Sequence, residues 1–327
     1  MMVSVIVPCQ NEERNIAEVL RSLAYQSLGC LEMEILISDG QSHDSTREVI
    51  ESFENVFFEK GIKLQILNNI KRTTSSGLNL AVRESSGTYI IRIDAHSTID
   101  ENYVVDIING LEENKVDVVG PAIEYYTDGA SEIAKSIVAV LNHPLGNGGT
   151  PSRNKINIPK LVKHTVMSCY KKTVWDSVGG YDEALLSNED FEFDFRAHEA
   201  GFIILSLPSP KYFPKTRSSV KEFARQRFRY GFWKFKVYVK HPSSLHSRQL
   251  VPILAFFSIL GGVFFWPILV FQVLGLIFIV EIIRAQSKYK PDRINLFLVL
   301  CINYYVWSAG FLWSAFRNIW FTRSEGK

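Results

Sequence analysis

The sequence contains no GxGxxG turn and no GxxxxGK[ST] loop. Folds that cradle phosphate on glycine amides are therefore set aside. Cysteine is scarce: Cys9, Cys30, Cys169 and Cys301 are scattered with no CxxC pair, and they read as free thiols in a reducing compartment. Charge of one sign is also lacking. A net charge of +2 on 327 residues, with 46% apolar residues, excludes a nucleic-acid binder and a disordered chain. The early apolar stretch VSVIVP is too short for a secretory signal and lacks a basic start. The N-terminal part is thus expected to stay in the cytoplasm.

What the averages conceal is a shift along the chain. Up to about residue 210 the composition is that of a soluble α/β protein. From Lys211 to Arg248 eleven lysines and arginines face only Glu222. No charged residue then occurs from Leu250 to Val280, nor from Ile294 to Phe316. Runs of about 20 apolar residues are long enough to cross a bilayer. The expected division is an α/β domain with a basic juxtamembrane end over residues 1–240 and a membrane domain over 241–327. Two or three spans fall at about 250–283 and 294–316. One helix over Leu250–Val280 would be roughly 45 Å long, and a break near Pro267 would make two short ones. Both arrangements remain open.

In the soluble part, strands and helices alternate. Val3–Val7 is a β-rich run ended by Pro8, and Ile16, Val19, Leu20 and Leu23 mark one helix face. A second strand over Glu34–Ser38 stops at Asp39-Gly40. Ser45 and Glu48 then have capping-box spacing. Leu64–Leu67 and Tyr89–Ile93 are further strands, separated by a helix beginning in SSGLNLAV. Such alternation predicts an α/β fold: a mostly parallel sheet with helices on both faces and ligands outside the carboxyl ends of the strands. Asp39, Asp94 and the polar PCQNEE segment all lie at such ends.

A rim of carboxylates without glycine amides would hold phosphate through a cation. Asp94 and His96, at i and i+2 of a strand end, point the same way and make a workable Mg²⁺ or Mn²⁺ pair. The plainer alternative is that Asp94 caps the next turn and His96 is a loop histidine. Further on, SNEDFEFDFR interleaves Glu189, Asp190, Glu192 and Asp194 with three phenylalanines. A partly buried carboxylate there fits a general base, and a solvated acidic face is the alternative. RQRFRYGFWK sets Gln226, Arg229 and Tyr230 at QxxR-aromatic spacing. It reads either as a site element or as a basic stripe on anionic lipid.

The order of these motifs resembles glycosyltransferase family 2, which has the GT-A fold and uses nucleotide-diphosphate sugars. The motifs are Pro8, Asn11 and Glu12 after the first strand; Ser38-Asp39-Gly40; GLNLAV; Asp94-Ala95-His96; Val178 to Glu183; Glu189-Asp190; and QxxR-aromatic. The resemblance covers about residues 2 to 240. HPLGNGG and DAHS are further similar to its succinoglycan-biosynthesis branch, which builds bacterial exopolysaccharide on a lipid carrier and commonly has a membrane tail. His96 stands where the family's DxD has its second Asp, and Tyr230 where its QxxRW has Trp.

The resemblance implies roles residue by residue. Pro8, Asn11, Glu12 and Asp39 would hold the uridine, and Ala95 would leave room beside it. Asp94 would bind a divalent cation that bridges the donor's phosphates, with His96 beside it. Asp190 would be the catalytic base. Arg72, Asn79, Glu189, Gln226, Arg229 and Tyr230 would line the substrates. It implies an inverting transfer of a single sugar, with UDP-glucose the preferred donor. The acceptor would be a polyprenyl-diphosphate-linked saccharide on the cytoplasmic leaflet of the inner membrane, since two or three spans are too few for a processive channel. The competing readings are a catalytically inactive sugar-nucleotide scaffold at the membrane and a sugar nucleotidyltransferase. The latter would need a glycine-rich basic loop in place of PCQNEE.

Overall fold

The computed structural model describes residues 1–129, 131–149, 153 and 156–324. The chain divides into two compact units, one of residues 1–124 and 154–215, the other of residues 125–153 and 216–327. This division differs from a cut at residue 240. The basic helix that follows residue 215, and an internal segment of about thirty residues, pack with the C-terminal helices.

The first unit is built on a sheet of nine strands among the described residues. They are β1 (Met2–Cys9), β2 (Glu32–Asp39), β3 (Lys63–Asn68), β4 (Tyr89–Arg92), β5 (Ser97–Ile99), β6 (Val118–Ile123), β7 (Lys160–Leu161), β8 (Cys169–Lys171) and β9 (Ile204–Pro214). The order β3-β2-β1-β4-β8-β6-β9-β5 has β7 attached to β9. From β3 to β4 all pairings are parallel; β8 then runs antiparallel to both β4 and β6, while β6 and β9 are parallel. The sheet is thus mixed in its second half. Helices of this unit are α1 (Ile16–Ala24), α2 (Thr46–Glu51), α3 (Glu54–Glu59), α4 (Thr74–Glu84), α5 (Tyr103–Glu113), α8 (Lys172–Val178) and α9 (Glu189–Glu199).

Val3 to Val7 are completely buried at every position, so both faces of β1 are covered, as a parallel central strand requires. Ile6, Leu36 and Ile90 pack with Leu78, Ala81 and Val82 of α4, Val174 of α8, and Phe193 and Ala197 of α9. Each of these large side chains contributes about 1.5–3 kcal/mol when fully buried. Pro8 does not end β1: the strand runs on to Cys9, pairing with β2 through Cys9–Asp39. Pairing with β4 has already ended at Ile6, so at Pro8 the strand has a ladder on one side only, where a missing N–H is tolerated. The capping box at Ser45 and Glu48 does not form. The Ser45 side chain makes no cap hydrogen bond, and Asp44 takes its place by accepting from the Thr46 N–H at 3.1 Å.

β1 has β2 on one side and β4 on the other, with the chain crossing over in between. That is the topological switch point of the sheet, where a crevice opens beyond the strand ends. Residues 9–12 and 93–96 lie on its two sides.

The second unit comprises α6 (Glu132–Leu141), α7 (Pro144–Asn147), α10 (Val220–Lys240), α11 (Leu250–Phe264), α12 (Pro267–Gln286), α13 (Arg293–Cys301) and α14 (Trp307–Ser324). A π-helical turn over Ile302–Val306 joins α13 to α14. Ile137, Val140 and Leu141 of α6, Phe223 of α10, Val280 and Ile283 of α12, and Leu296 and Val299 of α13 form its core. α10 and α14 meet at glycines. A Cβ on Gly231 would lie 1.9 Å from the Trp307 carbonyl oxygen, and one on Gly310 would lie 2.1 Å from that of Phe228. The apolar run at 250–283 is broken at Phe265-Trp266, with Pro267 in the first turn of α12. α12, with 20 residues, and Arg293–Trp320, with 28, each contain an 18-residue window of high mean hydropathy (2.3 and 1.6) and are long and apolar enough to cross a membrane.

Candidate active site

On one side of the crevice, the loop after β1 is laced to the loop after β2. Asn11 adopts φ +54°. Its N–H donates to Ser42 Oγ at 2.8 Å and its Oδ1 accepts from the His43 N–H at 2.9 Å. Ser42 in turn donates to Asp39 Oδ1 through its N–H at 3.1 Å and its hydroxyl at 2.7 Å. Asp39 is buried, and its Oδ2 makes no hydrogen bond among the described residues. Arg72 reaches the same loop, its Nε donating to Gln41 Oε1 at 2.6 Å. Glu12 is positioned by its N–H on Thr46 Oγ1 at 2.7 Å and by Asn15 Nδ2 on its Oε2 at 2.8 Å.

Across the crevice stand Asp94 and His96. His96 Nδ1 comes within 3.4 Å of Glu12 Oε1, so the two motifs meet at the switch point. The Asp94 N–H donates to the Tyr212 hydroxyl at 2.9 Å, and the Ser97 N–H to the Asp94 carbonyl at 3.1 Å. Ala95 is buried.

A residue that motif reading passed over organises the floor. Arg92, at i−2 from Asp94 and buried, donates from Nε and Nη2 to Asp94 Oδ1 at 3.3 and 3.2 Å. It also donates from Nη2 to Glu189 Oε1 at 3.0 Å. Burial alone would lower its pKa; Asp94, Glu189 and Asp190 outweigh that and hold it charged. Glu189 is shifted the other way: burial raises its pKa, Arg92 opposes, and neighbouring Asp190 raises it further. The signal for Arg92 was a lone charge inside an otherwise apolar strand, which is stable only when paired.

Glu189 and Asp190 open α9 after Asn188, which sits at φ +64°. Carboxylates in a first turn are favoured by the helix dipole. Like Glu189 with Arg92, Glu192 and Asp194 of that run are held by structural partners. Glu192 bonds Arg196 at 2.9 and 2.7 Å. Asp194 is fully buried among His164, Thr165 and Ser168. Asp190 is half-buried, and its Oδ1 accepts from the Phe191 N–H at 2.7 Å.

Asn79 does not belong to the rim. Its amide donates to the Tyr181 carbonyl at 2.9 Å and Glu183 Oε1 at 3.0 Å, and its oxygen accepts from the Tyr181 N–H at 2.8 Å and Trp175 Nε1 at 3.2 Å. All four of its hydrogen-bonding positions are taken. It braces the Gly-Gly-Tyr turn. Gln226, Arg229 and Tyr230 lie on α10 in the other unit. There Gln226 Nε2 is 3.3 Å from the Tyr230 hydroxyl, and Arg229 is exposed. The neighbouring Arg227, not singled out from sequence, is the buried one, its guanidinium 4.9 Å from the Phe223 ring centroid and 5.0 Å from that of Tyr230.

No group of three metal-ligating side chains exists among the described residues. Asp94 Oδ2 nevertheless makes no hydrogen bond among them, because Arg92 takes Oδ1. One carboxylate oxygen completed by phosphate oxygens is the way Mg²⁺ is usually held. The residues fit a cation that arrives with a diphosphate and do not form a cage of their own.

The sheet with its switch-point carboxylates defines a glycosyltransferase of the GT-A fold. The family model "Glycosyl transferase family 2" matches residues 4–177, and the chain belongs to that family. The succinoglycan biosynthesis protein ExoA of Rhizobium meliloti (strain 1021) is 31% identical over 253 residues, 76% of this chain and 74% of the relative. A dolichyl N-acetyl-alpha-D-glucosaminyl phosphate 3-beta-D-2,3-diacetamido-2,3-dideoxy-beta-D-glucuronosyltransferase of Methanococcus voltae is 30% identical over 236 residues, 70% and 71% of the two chains. The crystal structure of S. aureus TarS 1–349 superposes with a TM-score of 0.53 at 18% identity, covering 97% of this chain and 92% of that one. This last likeness bears on the fold alone.

Proposed function

We propose that this glycosyltransferase moves one sugar, with inversion, from a UDP-sugar to a polyprenyl-diphosphate-linked saccharide at the cytoplasmic face of the inner membrane. Its place would be in building a bacterial exopolysaccharide, with UDP-glucose the preferred donor. The observation that carries the reading is the linked set at the switch point. Asp39 and the Asn11–Glu12 turn stand on one side, Asp94 and His96 on the other, and Arg92 ties Asp94 to the Glu189-Asp190 turn. Donor-side and acceptor-side carboxylates are thereby kept in register by one guanidinium.

Asp190 takes the proton of the attacking hydroxyl, a role worth about 10²–10⁴-fold. Glu189, held by Arg92, fixes the turn that presents it. Asp94, with His96, would hold the divalent cation, which when bound offsets charge on the departing nucleoside diphosphate. Asp39 and Asn11 bind the nucleoside end. One displacement, by the acceptor hydroxyl that Asp190 deprotonates, inverts the anomeric carbon. A lipid-borne acceptor is supported by the exposed aromatic and aliphatic side chains of α11 and α12, with Phe264 92% and Phe271 74% exposed, since exposed apolar surface of this extent needs a non-aqueous neighbour. The Methanococcus relative is itself named for a sugar carried on dolichyl phosphate.

The test is a screen of radiolabelled UDP-sugars against membranes containing lipid-linked saccharides, with and without Mg²⁺, Mn²⁺ or chelator. Transfer of one sugar to the lipid fraction, lost with chelator, is expected. UDP release without any lipid-linked product, or no turnover with every UDP-sugar, would overturn the proposal.

A further inference from the structure

Asp194 lies one helical turn beyond Asp190 on α9, so the two share a face. It is fully buried, and one of its hydrogen-bond partners is a histidine. The carboxylate accepts from the Thr165 N–H at 2.9 Å, from the Ser168 hydroxyl at 2.7 and 2.8 Å, and from His164 Nδ1 at 2.9 Å. An ionised carboxylate only accepts, so Nδ1 carries the hydrogen, and the tautomer fixed in this way presents Nε2 as an acceptor. That Nε2 makes no hydrogen bond among the described residues, and the side chain keeps 14% of its surface exposed. The ring stands edge-on to Phe191, the residue after Asp190, with centroids 4.9 Å apart.

The segment that delivers His164 is tightly held. Thr165 is completely buried, and a Cβ on Gly120 would lie 1.5 Å from its Oγ1. Met167 takes φ +57°, a left-handed conformation that a side chain with a Cβ seldom adopts. Thr165 and Ser168 already close this segment onto α9. The imidazole adds one thing to that closure, an oriented nitrogen at the edge of the turn that carries Asp190.

We propose that His164 is a substrate-contacting residue of the transfer site, its tautomer set by Asp194 and its Nε2 accepting a hydrogen bond from a hydroxyl of the acceptor sugar. The inference rests on the reading of Asp190 as the base on the acceptor side. It adds a residue that orients the sugar whose other hydroxyl is deprotonated.

Two substitutions of the full chain separate this role from a structural one. In His164→Asn the amide nitrogen stands where Nδ1 stood and keeps the bond to Asp194, but nothing reaches the position of Nε2. In His164→Gln the amide reaches that position and gives up the bond to Asp194. The assay uses the UDP-sugar and lipid-linked saccharide pair that turns over in the screen above. His164→Asn should keep the wild-type melting temperature and the donor KM, while kcat/KM for the acceptor falls about tenfold, the scale of one lost hydrogen bond. His164→Gln should recover part of that loss despite melting lower. Acceptor kcat/KM at the wild-type level in His164→Asn would overturn the proposal, as would losses in both variants that simply follow their melting temperatures. Absence of wild-type turnover with every pair would instead overturn the proposed function itself.

Discussion

Replacing Arg92 by methionine tests the electrostatic design of the site most directly. The guanidinium and Glu189 have side chains only 6% and 8% exposed, whereas Asp94 is 24% exposed. Methionine keeps much of the volume and removes the charge. Asp94 can then be solvated, but Glu189 is left buried without its cation. Breaking a buried pair from one side costs about 3–5 kcal/mol, against a total stability of about 5–15 kcal/mol. At about 2–4 °C per kcal/mol for a chain of this size, Arg92→Met should melt about 6–20 °C lower at neutral pH. The pH dependence follows from Glu189. Burial and Asp190 raise its pKa in the folded protein above the ordinary carboxylate value, with Arg92 opposing. A raised carboxylate contributes stability that is present below its unfolded pKa and lost as pH rises through the folded one. Without Arg92 that loss deepens, so the deficit of Arg92→Met should grow as pH rises above the ordinary carboxylate range. Adding Glu189→Gln should restore most of the melting temperature, because an uncharged pair leaves no stranded ion. Thermal denaturation of the purified chain in detergent reads all three. A deficit independent of pH, or one that Glu189→Gln does not relieve, would refute the argument.

Asp190→Asn should retain donor binding, measured by titration with UDP-sugar, and lose transfer by about 10²–10⁴-fold; near wild-type turnover would remove it as the base. Gly231→Ala should destabilise the helical unit by more than the usual 1–3 kcal/mol of overpacking. The clash is with the Trp307 backbone, not a movable side chain, and limited proteolysis of the C-terminal helices would show it. Burial, and then Asp39, push the Cys9 thiol up to about 12, and burial does the same for Cys169. A maleimide at neutral pH should therefore label exposed Cys30 while sparing Cys9 and Cys169, as peptide mass mapping would reveal; rapid labelling of Cys9 would mean the rim is open.

What was legible in the sequence was what repeats or stands at a strand end. Helices α1 and α4 and strands β1 to β4 announced themselves through apolar periodicity, and the same pattern put Asp39 and Asp94 on one rim. The antiparallel insertion of β8 between β4 and β6 was not legible, because a strand of three residues carries no periodic signal. Pairing across the crevice was invisible for a different reason. Glu12 and His96, Arg92 and Glu189, and His164 and Asp194 are far apart in the chain, and only the fold decides which side chains meet. The acidic run on α9 shows the consequence. Four carboxylates in six residues look equivalent as text, yet each has a different fate set by what lies opposite. Glu192 faces Arg196 on its own helix, Asp194 faces a histidine and two hydroxyl-bearing residues, and Glu189 faces a buried guanidinium. Asp190 is the half-buried one of the four, the other three being buried. A general base must exchange its proton with substrate, so the carboxylate that keeps part of its surface open is the one the chemistry can use.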